Sequence, residues 1–578
     1  AEDRIRMVLG STMDREANIF SNLRLFFAGK QKKVNNIFQK YGSGIWLSIV
    51  TCFMLFLYAP LELLFLNQDE FWYDAYQLIP IMFFVFVVTC TASITVFVLL
   101  RKWSQTLYRI GLAAYFTVMI CSYIQGNFLT GSLPLLDGST IDWSLYKAQN
   151  IQSYILWIIV AVIVTVIYRK GKPQFLEKLI GIVSICMTLM FCITVLTLGV
   201  SNHGFEKKLG LGITHKDMLL MSENQNLVIL LLDSVNGYTM DEILRENPAY
   251  EDIFTDFTFF TNTMGAYPAT KYSVPFIFSG QWYENDVEFR EYEAKAYAES
   301  SLLAALEEEE WSIGMYSGGL LADDEGKARF VNLLPSKRGF NNNMLFVKWQ
   351  LQLTGFRYAP YCLKPYMFVY LRHLVELKNP PDGETMYNWD NVDFYNKILN
   401  EEISSTDQKC FRFIHISGGH GPYIYNENVE EIPSEEGSYE DNIKASLTIT
   451  REYLNKMKKA GVYDNSAIVV MADHGSSAVS CDYHNTQNPI FFVKGINEKH
   501  DLARSDAPIS YADLQEAFAR LLNGAGGDQI FDWKSGDQRE RRWLFYQFGE
   551  IDHMVEYMQP GRADDAEAMY ETGRTYDR

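Results

Sequence analysis

The stretch Leu227–Ser234, LVILLLDS, places six consecutive apolar residues directly before an aspartate and a serine. A short run that is apolar on both faces is typical of a strand buried in the centre of a parallel sheet. Three later runs have the same character: RFIHI at Arg412–Ile416, IVVM at Ile468–Met471 and PIFFV at Pro489–Val493. Helical patterns lie between them, so this half of the chain predicts an α/β domain with a mostly parallel central sheet.

Polar residues follow these runs where the strands are expected to end. Asp233 follows the first run, and Asp473 and His474 follow IVVM in the stretch MADHGSS. The run RFIHI leads into HISGGHGPY, which contains His415 and His420. Ligands in open α/β sheets sit outside the carboxyl ends of the strands. Because zinc accepts imidazole and carboxylate ligands and manganese prefers oxygen, these residues indicate a divalent metal site, for Zn²⁺ or Mn²⁺.

The segment Asn262–Gly280, NTMGAYPATKYSVPFIFSG, is where we look for a nucleophile. Small and turn-forming residues lead to Thr270, after which an apolar helix is expected. A threonine at a helix start beside a metal can ionise, because the cation and the helix N-terminus both favour the alkoxide. The alternative is that Thr270 only caps the helix. A further histidine, His484, lies in the stretch DYHNTQNP.

The first 200 residues contain five apolar runs, each of about 17–24 residues, which is enough to cross a ~30 Å hydrocarbon core. The runs cover residues 44–66, 77–100, 106–126, 152–168 and 178–200. The alternative, a set of buried helices in a soluble domain, would need a very large core around them. We therefore predict a five-helix transmembrane bundle. Glu62 lies within the first run, where a charge is either functional or snorkels towards the headgroups.

Lysine and arginine residues are concentrated in alternate flanks of these runs. The basic flanks contain Arg24, Lys30, Lys32, Lys33 and Lys40, then Arg101, Lys102 and Arg109, and then Arg169, Lys170, Lys172 and Lys178. The two remaining loops are acidic or nearly neutral. Because cytoplasmic loops carry an excess of basic residues, this pattern places the N-terminus inside and residues 201–578 outside.

The charge of the chain divides in the same way. Residues 1–200 contain 16 Lys+Arg and 11 Asp+Glu, whereas the whole chain has 51 and 70 and a net charge of −19. The acidic C-terminal part lacks the basic surface that nucleic acids require, so we expect no nucleic-acid partner. Three widely spaced cysteines beyond residue 200 make no disulfide framework.

Taken together, these motifs resemble the alkaline phosphatase/sulfatase superfamily. The resemblance is carried by the strand ending in Asp233, by Thr270 with the following Ser-Val-Pro, by Asp473-His474-Gly, and by His420-Gly-Pro-Tyr. Five spans before such a domain resemble the membrane-anchored phosphotransferases of this superfamily, which include lipid A phosphoethanolamine transferases and lipoteichoic acid synthases. The resemblance covers almost the whole chain.

The resemblance implies roles for individual residues. Asp233, Thr270, Asp473 and His474 would bind the principal metal, with Thr270 as the nucleophile. His420 and His484 would act in catalysis, facing the substrate phosphate or a second metal, whereas the direction of His415 stays open. Two departures concern the subfamily: the phosphotransferases usually have Glu at the position of Asp233, and the Cys/Ser-x-Pro-x-Arg segment that a formylglycine sulfatase needs is absent.

The expected architecture is an N-terminal transmembrane bundle followed by a C-terminal sulfatase-like α/β domain. The predicted parts are a cytoplasmic N-terminal segment (1–43), a five-span transmembrane domain (44–200), a juxtamembrane linker (201–225), an extracytoplasmic catalytic domain (226–525) and its C-terminal subdomain (526–578). The expected location is the bacterial cytoplasmic membrane.

The leading functional hypothesis is metal-dependent transfer of a phospho-head-group through a phospho-threonine. The donor would be a membrane phospholipid, with phosphoethanolamine or phosphoglycerol as the transferred group, and the acceptor a glycan or glycolipid. Two alternatives stay open. One is a membrane-anchored phosphodiesterase, phosphatase or sulfatase-like hydrolase, which would use the same residues with water as the acceptor. The other is a non-catalytic domain that binds glycan.

Overall fold

The computed structural model describes residues 41–130, 141, 143–171, 173–208, 210–318, 324–369, 372–476, 486–546 and 552–578. Residues 1–40 of the predicted cytoplasmic segment, together with His484, lie outside these ranges. The described chain forms two compact units. The first takes in residues 41–130, the described residues from 141 to 208 and Phe340–Leu377, and the second takes in the rest.

The helices and strands are numbered here in chain order. The helices are α1 Tyr41–Leu66, α2 Ala75–Trp103, α3 Gln105–Phe128, α4 Lys147–Lys170, α5 Pro173–Ser201, α6 Gly237–Glu246, α7 Pro248–Glu251, α8 Thr270–Ser279, α9 Phe289–Ala298, α10 Ser301–Glu308, α11 Asp324–Arg329, α12 Asn343–Tyr358, α13 Arg372–Val375, α14 Asn391–Asn400, α15 Tyr439–Ala460 and α16 Leu514–Leu522. The strands are β1 Leu211–Ile213, β2 Leu220–Ser222, β3 Asn226–Leu232, β4 Thr258–Phe260, β5 Thr263–Met264, β6 Ser312–Tyr316, β7 Leu333–Pro335, β8 Lys337–Phe340, β9 Lys378–Asn379, β10 Ser404–Thr406, β11 Cys410–Ile416, β12 Ser466–Met471, β13 Phe491–Lys494, β14 Ala503–Ser505, β15 Ile509–Ser510, β16 Arg541–Phe545, β17 His553–Gln559 and β18 Tyr570–Asp577.

Helices α1 to α5 are each long and apolar enough to cross a membrane. They coincide with the five predicted runs, so the N-terminal helical half of the predicted fold is confirmed. Local polar groups set some of their ends: Asp74 and Gln77 form a reciprocal capping box at the start of α2. Ser104 ends α2 and caps α3, accepting hydrogen bonds from two backbone N–H groups of its first turn.

The first unit also contains Phe340–Leu377, a segment from the middle of the C-terminal half of the chain. It holds α12, a 3₁₀ turn at Tyr361–Tyr366 and α13. The strands that flank it, β8 and β9, pair with each other. No sequence pattern singled this segment out, because its apolar residues are interspersed with polar ones and form no long run.

The centre of the second unit is a seven-stranded sheet with the order β14-β4-β13-β12-β3-β11-β6. Within this sheet β13 runs antiparallel to both of its neighbours, and the other six strands share one direction. The mostly parallel sheet is therefore confirmed. Strand β3 lies between β11 and β12, with Leu231 opposite both His415 and Met471. The carboxyl ends of these three strands consequently lie at one edge.

The apolar run in β3 is explained by burial on both sides of the sheet. Leu227, Ile229 and Leu231 pack into one hydrophobic core. Val228, Leu230 and Leu232 alternate with them and pack into a second core on the opposite face. Beyond this sheet, β16, β17 and β18 form a separate antiparallel sheet within the predicted C-terminal subdomain.

Candidate active site

Three buried side chains converge at the carboxyl edge of the sheet. Asp233 directly follows β3, Asp473 follows β12 by two residues, and His415 is the penultimate residue of β11. Each offers one ligand atom, and the three atoms lie within 4.8 Å of one another. The order of β12, β3 and β11 in the sheet is what brings these residues together from distant parts of the sequence.

Asp233 contacts groups on three sides. Its Oδ1 accepts a hydrogen bond of 2.6 Å from the hydroxyl of Ser234. Its Oδ2 lies 3.2 Å from Nε2 of His415 and 3.2 Å from Oγ1 of Thr270. Burial alone would raise the pKa of Asp233, but the charge of His420 and the hydrogen bond from His415 outweigh it and hold the pKa below its usual value. Asp233 is therefore a carboxylate at neutral pH.

Asp473 is fully buried and only partly satisfied. Its Oδ1 accepts a hydrogen bond from the backbone N–H of Ser234, whereas its Oδ2 has no hydrogen-bond partner among the described residues. Within the described ranges of the chain, neither Asp473 nor Asp233 forms an ion pair with a lysine or an arginine. Two buried acids with an orphaned oxygen and only histidines for partners fit a divalent cation, because buried charge requires compensation.

His474 presents one ring nitrogen to this cluster. Its Nδ1 donates a hydrogen bond of 2.6 Å to the carbonyl of Gly475, which selects the tautomer of the neutral ring with a lone pair on Nε2. That Nε2 lies 3.4 Å from Oδ2 of Asp473 and 3.4 Å from Oγ1 of Thr270. A backbone carbonyl that fixes the tautomer in this way is the usual support of a metal-binding histidine.

Thr270 is the first residue of α8. The N-cap is Ala269, which has no side-chain cap, so the alternative in which Thr270 caps its own helix is wrong. The hydroxyl is instead free to hydrogen bond to Asp233. Thr270 thus combines two features of an activated nucleophile: a helix N-terminus, which favours negative charge, and an adjacent acceptor for its proton.

His420 is not a member of the group formed by Asp233, His415 and Asp473, although its charge acts on Asp233. Its Nδ1 donates to the carbonyl of Gly421, which leaves Nε2 available. The indole of Trp389 lies between two imidazoles, with ring centroids 5.3 Å from His415 and 5.3 Å from His420. His484, the other expected substrate-facing histidine, lies outside the described residues.

Sequence reasoning left the direction of His415 open and did not identify its support. Ser317, which follows β6, lies 3.0 Å from Nδ1 of His415 and orients the ring towards Asp233. The available signal was the position of His415 near the end of a strand whose register could be matched to that of β3. No local pattern pointed to Trp389 or Ser317, because both come from other segments of the fold.

Gly418 of HISGGHGPY brings the backbone very close to Asp233. A Cβ at position 418 would lie 2.3 Å from the carbonyl oxygen of Asp233 and 2.4 Å from its nitrogen. The φ angle of Gly418 is +54°, in the left-handed region that favours glycine. The first glycine of this motif is thus required for the approach of the loop to the end of β3.

The family model described as Sulfatase matches residues 225–525, which is more than half of the chain. The chain belongs to the sulfatase family. The matched range contains Asp233, Thr270, His415, Asp473 and His474. The expected membership of the alkaline phosphatase/sulfatase superfamily is confirmed, and the protein is an enzyme of the sulfatase-like type. Enzymes of this type use a divalent metal, in agreement with the buried Asp-His-Asp group.

Three solved structures similar to this sulfatase-family chain share 12–14% identity with it. Ps i-CgsB in complex with k-i-k-neocarrahexaose has 14% identity, covers 58% of this chain and 82% of its own, and gives a TM-score of 0.38. A protein in the alkaline phosphatase superfamily from Vibrio parahaemolyticus has 12% identity, covers 63% of this chain and 85% of its own, and gives a TM-score of 0.33. The C-terminal periplasmic domain of EcEptC from Escherichia coli has 13% identity, covers 56% of this chain and 90% of its own, and gives a TM-score of 0.30. A comparison with curated protein sequences finds no match.

Proposed function

We propose that this sulfatase-family enzyme transfers a phospho-head-group from a membrane phospholipid to an extracytoplasmic glycan or glycolipid. The transferred group is phosphoethanolamine or phosphoglycerol, and it is carried on Thr270 between the two half-reactions. One observation carries the proposal. The Thr270 hydroxyl, at the N-terminus of α8, lies 3.2 Å from the Asp233 carboxylate and 3.4 Å from His474, beside the buried acidic cluster.

In the first half-reaction Oγ1 of Thr270 attacks the phosphorus of the donor, and its proton passes towards Oδ2 of Asp233, the nearest acceptor. The bond between phosphorus and the diacylglycerol oxygen breaks. In this proposal His420, whose Nδ1 donates to the Gly421 carbonyl, protonates that leaving oxygen from Nε2. Diacylglycerol departs and the phospho-head-group stays on Thr270.

In the second half-reaction an acceptor hydroxyl attacks the same phosphorus and releases Oγ1 of Thr270. Nε2 of His420, now neutral, takes the proton of the attacking hydroxyl, and Oγ1 of Thr270 recovers its own proton from Oδ2 of Asp233, which restores the starting state. A divalent metal held by Asp233, Asp473 and His474, when bound, supplies charge stabilisation for the phosphoryl oxygens and favours the Thr270 alkoxide. His415 orients Asp233 when its Nε2 carries the proton, and its Nε2 would supply a further ligand to the metal when the proton is on Nδ1.

Two further features support lipid phosphoryl transfer over sulfate ester hydrolysis. The nucleophile segment, Thr270 to Pro275, reads TKYSVP and contains no Cys/Ser-x-Pro-x-Arg. The first unit supplies five helices long enough to span a bilayer, which would hold the enzyme at the surface where a phospholipid donor is concentrated. The same residues would serve a hydrolase if water replaced the acceptor.

The test uses the full chain, purified in detergent with Mn²⁺ or Zn²⁺, and phosphatidylethanolamine or phosphatidylglycerol with a fluorescent acyl chain. We expect release of fluorescent diacylglycerol and a phosphoethanolamine or phosphoglycerol mass on the peptide that contains Thr270. Thr270→Ala should abolish both. Ser279→Ala is the matched control, since this hydroxyl lies at the other end of α8, where it donates to the Pro275 carbonyl and accepts from the Gln281 N–H.

Three outcomes would contradict parts of the proposal. Diacylglycerol release that survives Thr270→Ala would exclude Thr270 as the carrier of the phospho-head-group. Free phospho-head-group in the presence of glycan acceptors, without a modified glycan, would assign the enzyme as a phosphodiesterase. Turnover of a sulfate ester with neither lipid consumed would replace the phosphotransferase proposal altogether.

A further inference from the structure

The segment Phe340–Leu377 is bound to the ends of the spanning helices. Arg357 of α12 forms an ion pair of 3.2 Å with Glu62, which lies four residues before the end of α1. The same guanidinium donates to the carbonyl of Gly126, two residues before the end of α3. At 1.5 Å per residue, these contacts lie about 3–6 Å along the axis from the helix ends. The segment is therefore held at the level where α1 and α3 end.

A second set of contacts fixes the segment to the connection between α1 and α2. The side-chain amide of Gln350 donates to the hydroxyl of Tyr73, which immediately precedes the N-cap of α2. The indole N–H of Trp72 donates to the carbonyl of Leu374. The ring of Phe346 stacks on Phe340 and lies edge-on to Tyr73. These contacts anchor both halves of the segment on the same side of the helix bundle.

The opposite face of the segment is exposed and apolar. Met344, Lys348 and Leu351 form one stripe along α12, spaced four and three residues apart, and all three are exposed. Met344 is 84% exposed, and Tyr366 in the 3₁₀ turn is 80% exposed. In the described part of the second unit only two large hydrophobic side chains, Leu399 and Tyr570, are exposed. Exposed apolar surface is thus concentrated where the chain meets the ends of the spans.

The composition of the segment also differs from that of the rest of the C-terminal half. Its 38 residues include nine aromatic residues, four Lys or Arg and one acid, a net charge of +3. Among the basic residues Lys348 is exposed, whereas Lys364 is buried and Arg357 pairs with Glu62. The remainder of residues 201–578 has 31 basic and 58 acidic residues. Aromatic rings are enriched at membrane–water interfaces, and basic side chains are attracted to anionic headgroups. This combination is typical of a helix that lies in the plane of an interface.

We propose that Phe340–Leu377 is a membrane-surface element whose exposed face lies in the leaflet on the side where α1 ends. Met344, Leu351 and Tyr366 enter the boundary between headgroups and acyl chains, and Lys348 contacts anionic headgroups. The exposed Lys348 complements anionic headgroups, and the contacts with Glu62 and Gly126 hold the segment at the helix ends. This role is independent of the reaction catalysed at Thr270.

The test places a photoreactive benzoylphenylalanine, one position at a time, in the full chain reconstituted into vesicles of phosphatidylcholine and phosphatidylglycerol (3:1) that carry radiolabelled lipid. The test positions are Met344, Leu363 and Tyr366. Leu363 and Tyr570 form a matched pair, because they are 43% and 46% exposed but lie in different units. Phe84, exposed on α2, is the positive control.

We expect lipid adducts at the three test positions at a level similar to that at Phe84 and well above that at Tyr570. Lys348→Gln should lower the ratio of phosphatidylglycerol to phosphatidylcholine adducts at Met344 by up to about fivefold, because one basic side chain near an anionic surface contributes roughly 1 kcal/mol. Lipid adducts at Met344 and Tyr366 no stronger than at Tyr570 would overturn the proposal. So would a protein adduct from a cell membrane preparation, which would assign this face to a protein partner.

Discussion

The imidazole of His415 bridges Oδ2 of Asp233, 3.2 Å from its Nε2, and the hydroxyl of Ser317, 3.0 Å from its Nδ1. A serine hydroxyl can donate to Nδ1 or accept from it. Ser317 therefore supports both tautomers of the ring. In one, the Nε2–H donates a hydrogen bond to Asp233, and in the other, Nε2 has a lone pair that can bind a cation. This arrangement allows a metal to replace a proton without any movement of the ring.

The first prediction concerns the contribution of His415 to metal binding. His415→Gln should lower the affinity for Zn²⁺ or Mn²⁺ by about 10–100-fold, the range for loss of a group that orients or completes a ligand set. Ser317→Ala should have a smaller effect, because it removes only the support of the ring. Calorimetric metal titration of the full chain in detergent measures both. An unchanged affinity in His415→Gln would exclude this histidine from the site.

The second prediction concerns the repulsion between two buried carboxylates. In metal-free protein, Asp473→Asn should raise the melting temperature, because it removes one of two like charges and its amide can donate to the Nε2 of His474. A gain of ~1 kcal/mol corresponds to about 2–4 °C for a domain of this size.

The same variant should lose most of the stabilisation that added metal gives to the unaltered protein, since that stabilisation follows the ratio of free metal to the dissociation constant. Melting curves with chelator and with excess metal separate the two effects. If Asp473→Asn lowers the melting temperature in chelator and still gains fully from metal, the acidic cluster is not the metal site.

The third prediction concerns the ion pair in the first unit. Glu62 is buried, accepts hydrogen bonds from Tyr58 and Tyr358, and pairs with Arg357. The interpretation in which Glu62 snorkels towards the headgroups is therefore wrong. Arg357→Met should destabilise the protein by about 3–5 kcal/mol, because it leaves an uncompensated buried charge.

The double variant Glu62→Gln/Arg357→Met should recover most of that loss, since the amide keeps the tyrosine contacts without a charge. Chemical denaturation in detergent, followed by tryptophan fluorescence, gives the four free energies of the cycle. Additive effects of the two substitutions would show that Glu62 and Arg357 are not coupled.

The fourth prediction concerns acid sensitivity. Burial lowers the pKa of His215 to about 4, with a further contribution from Lys397. Its ordinary pKa is 6.5, so between pH 6.5 and 4 the unfolded chain binds a proton that the folded chain does not. The stability that depends on neutral His215 is complete above pH 6.5 and is lost as the pH falls towards 4, by up to about 3 kcal/mol.

His215→Phe keeps an aromatic ring beside Tyr387 and removes the titration. The melting temperature of this variant should therefore fall less between pH 7 and pH 4.5 than that of the unaltered protein. Parallel curves for the two proteins over this range would show that His215 does not titrate on unfolding.

The sequence predicts those parts of this molecule whose signal is local. The run Leu227–Leu232 reports burial on both faces of β3, and five long apolar runs report the spanning helices. Asp233, Thr270 and Asp473 were found because each lies at the end or start of such an element. The position of His415 depends on strand register and on Ser317, which follows β6. The segment Phe340–Leu377 has no long run, and only packing reveals which side is buried.

The pairing of β8 with β9 makes Phe340–Leu377 a separable insertion. Its two ends meet in adjacent strands, where backbones lie about 4.8 Å apart, so a short turn between Gly339 and Lys378 could replace it. A truncated chain that began after α5 would otherwise expose the side of α12 that packs against the spanning helices, and would be expected to self-associate. Replacing the insertion with such a turn is the rational route to a water-soluble catalytic unit for crystallisation and assay.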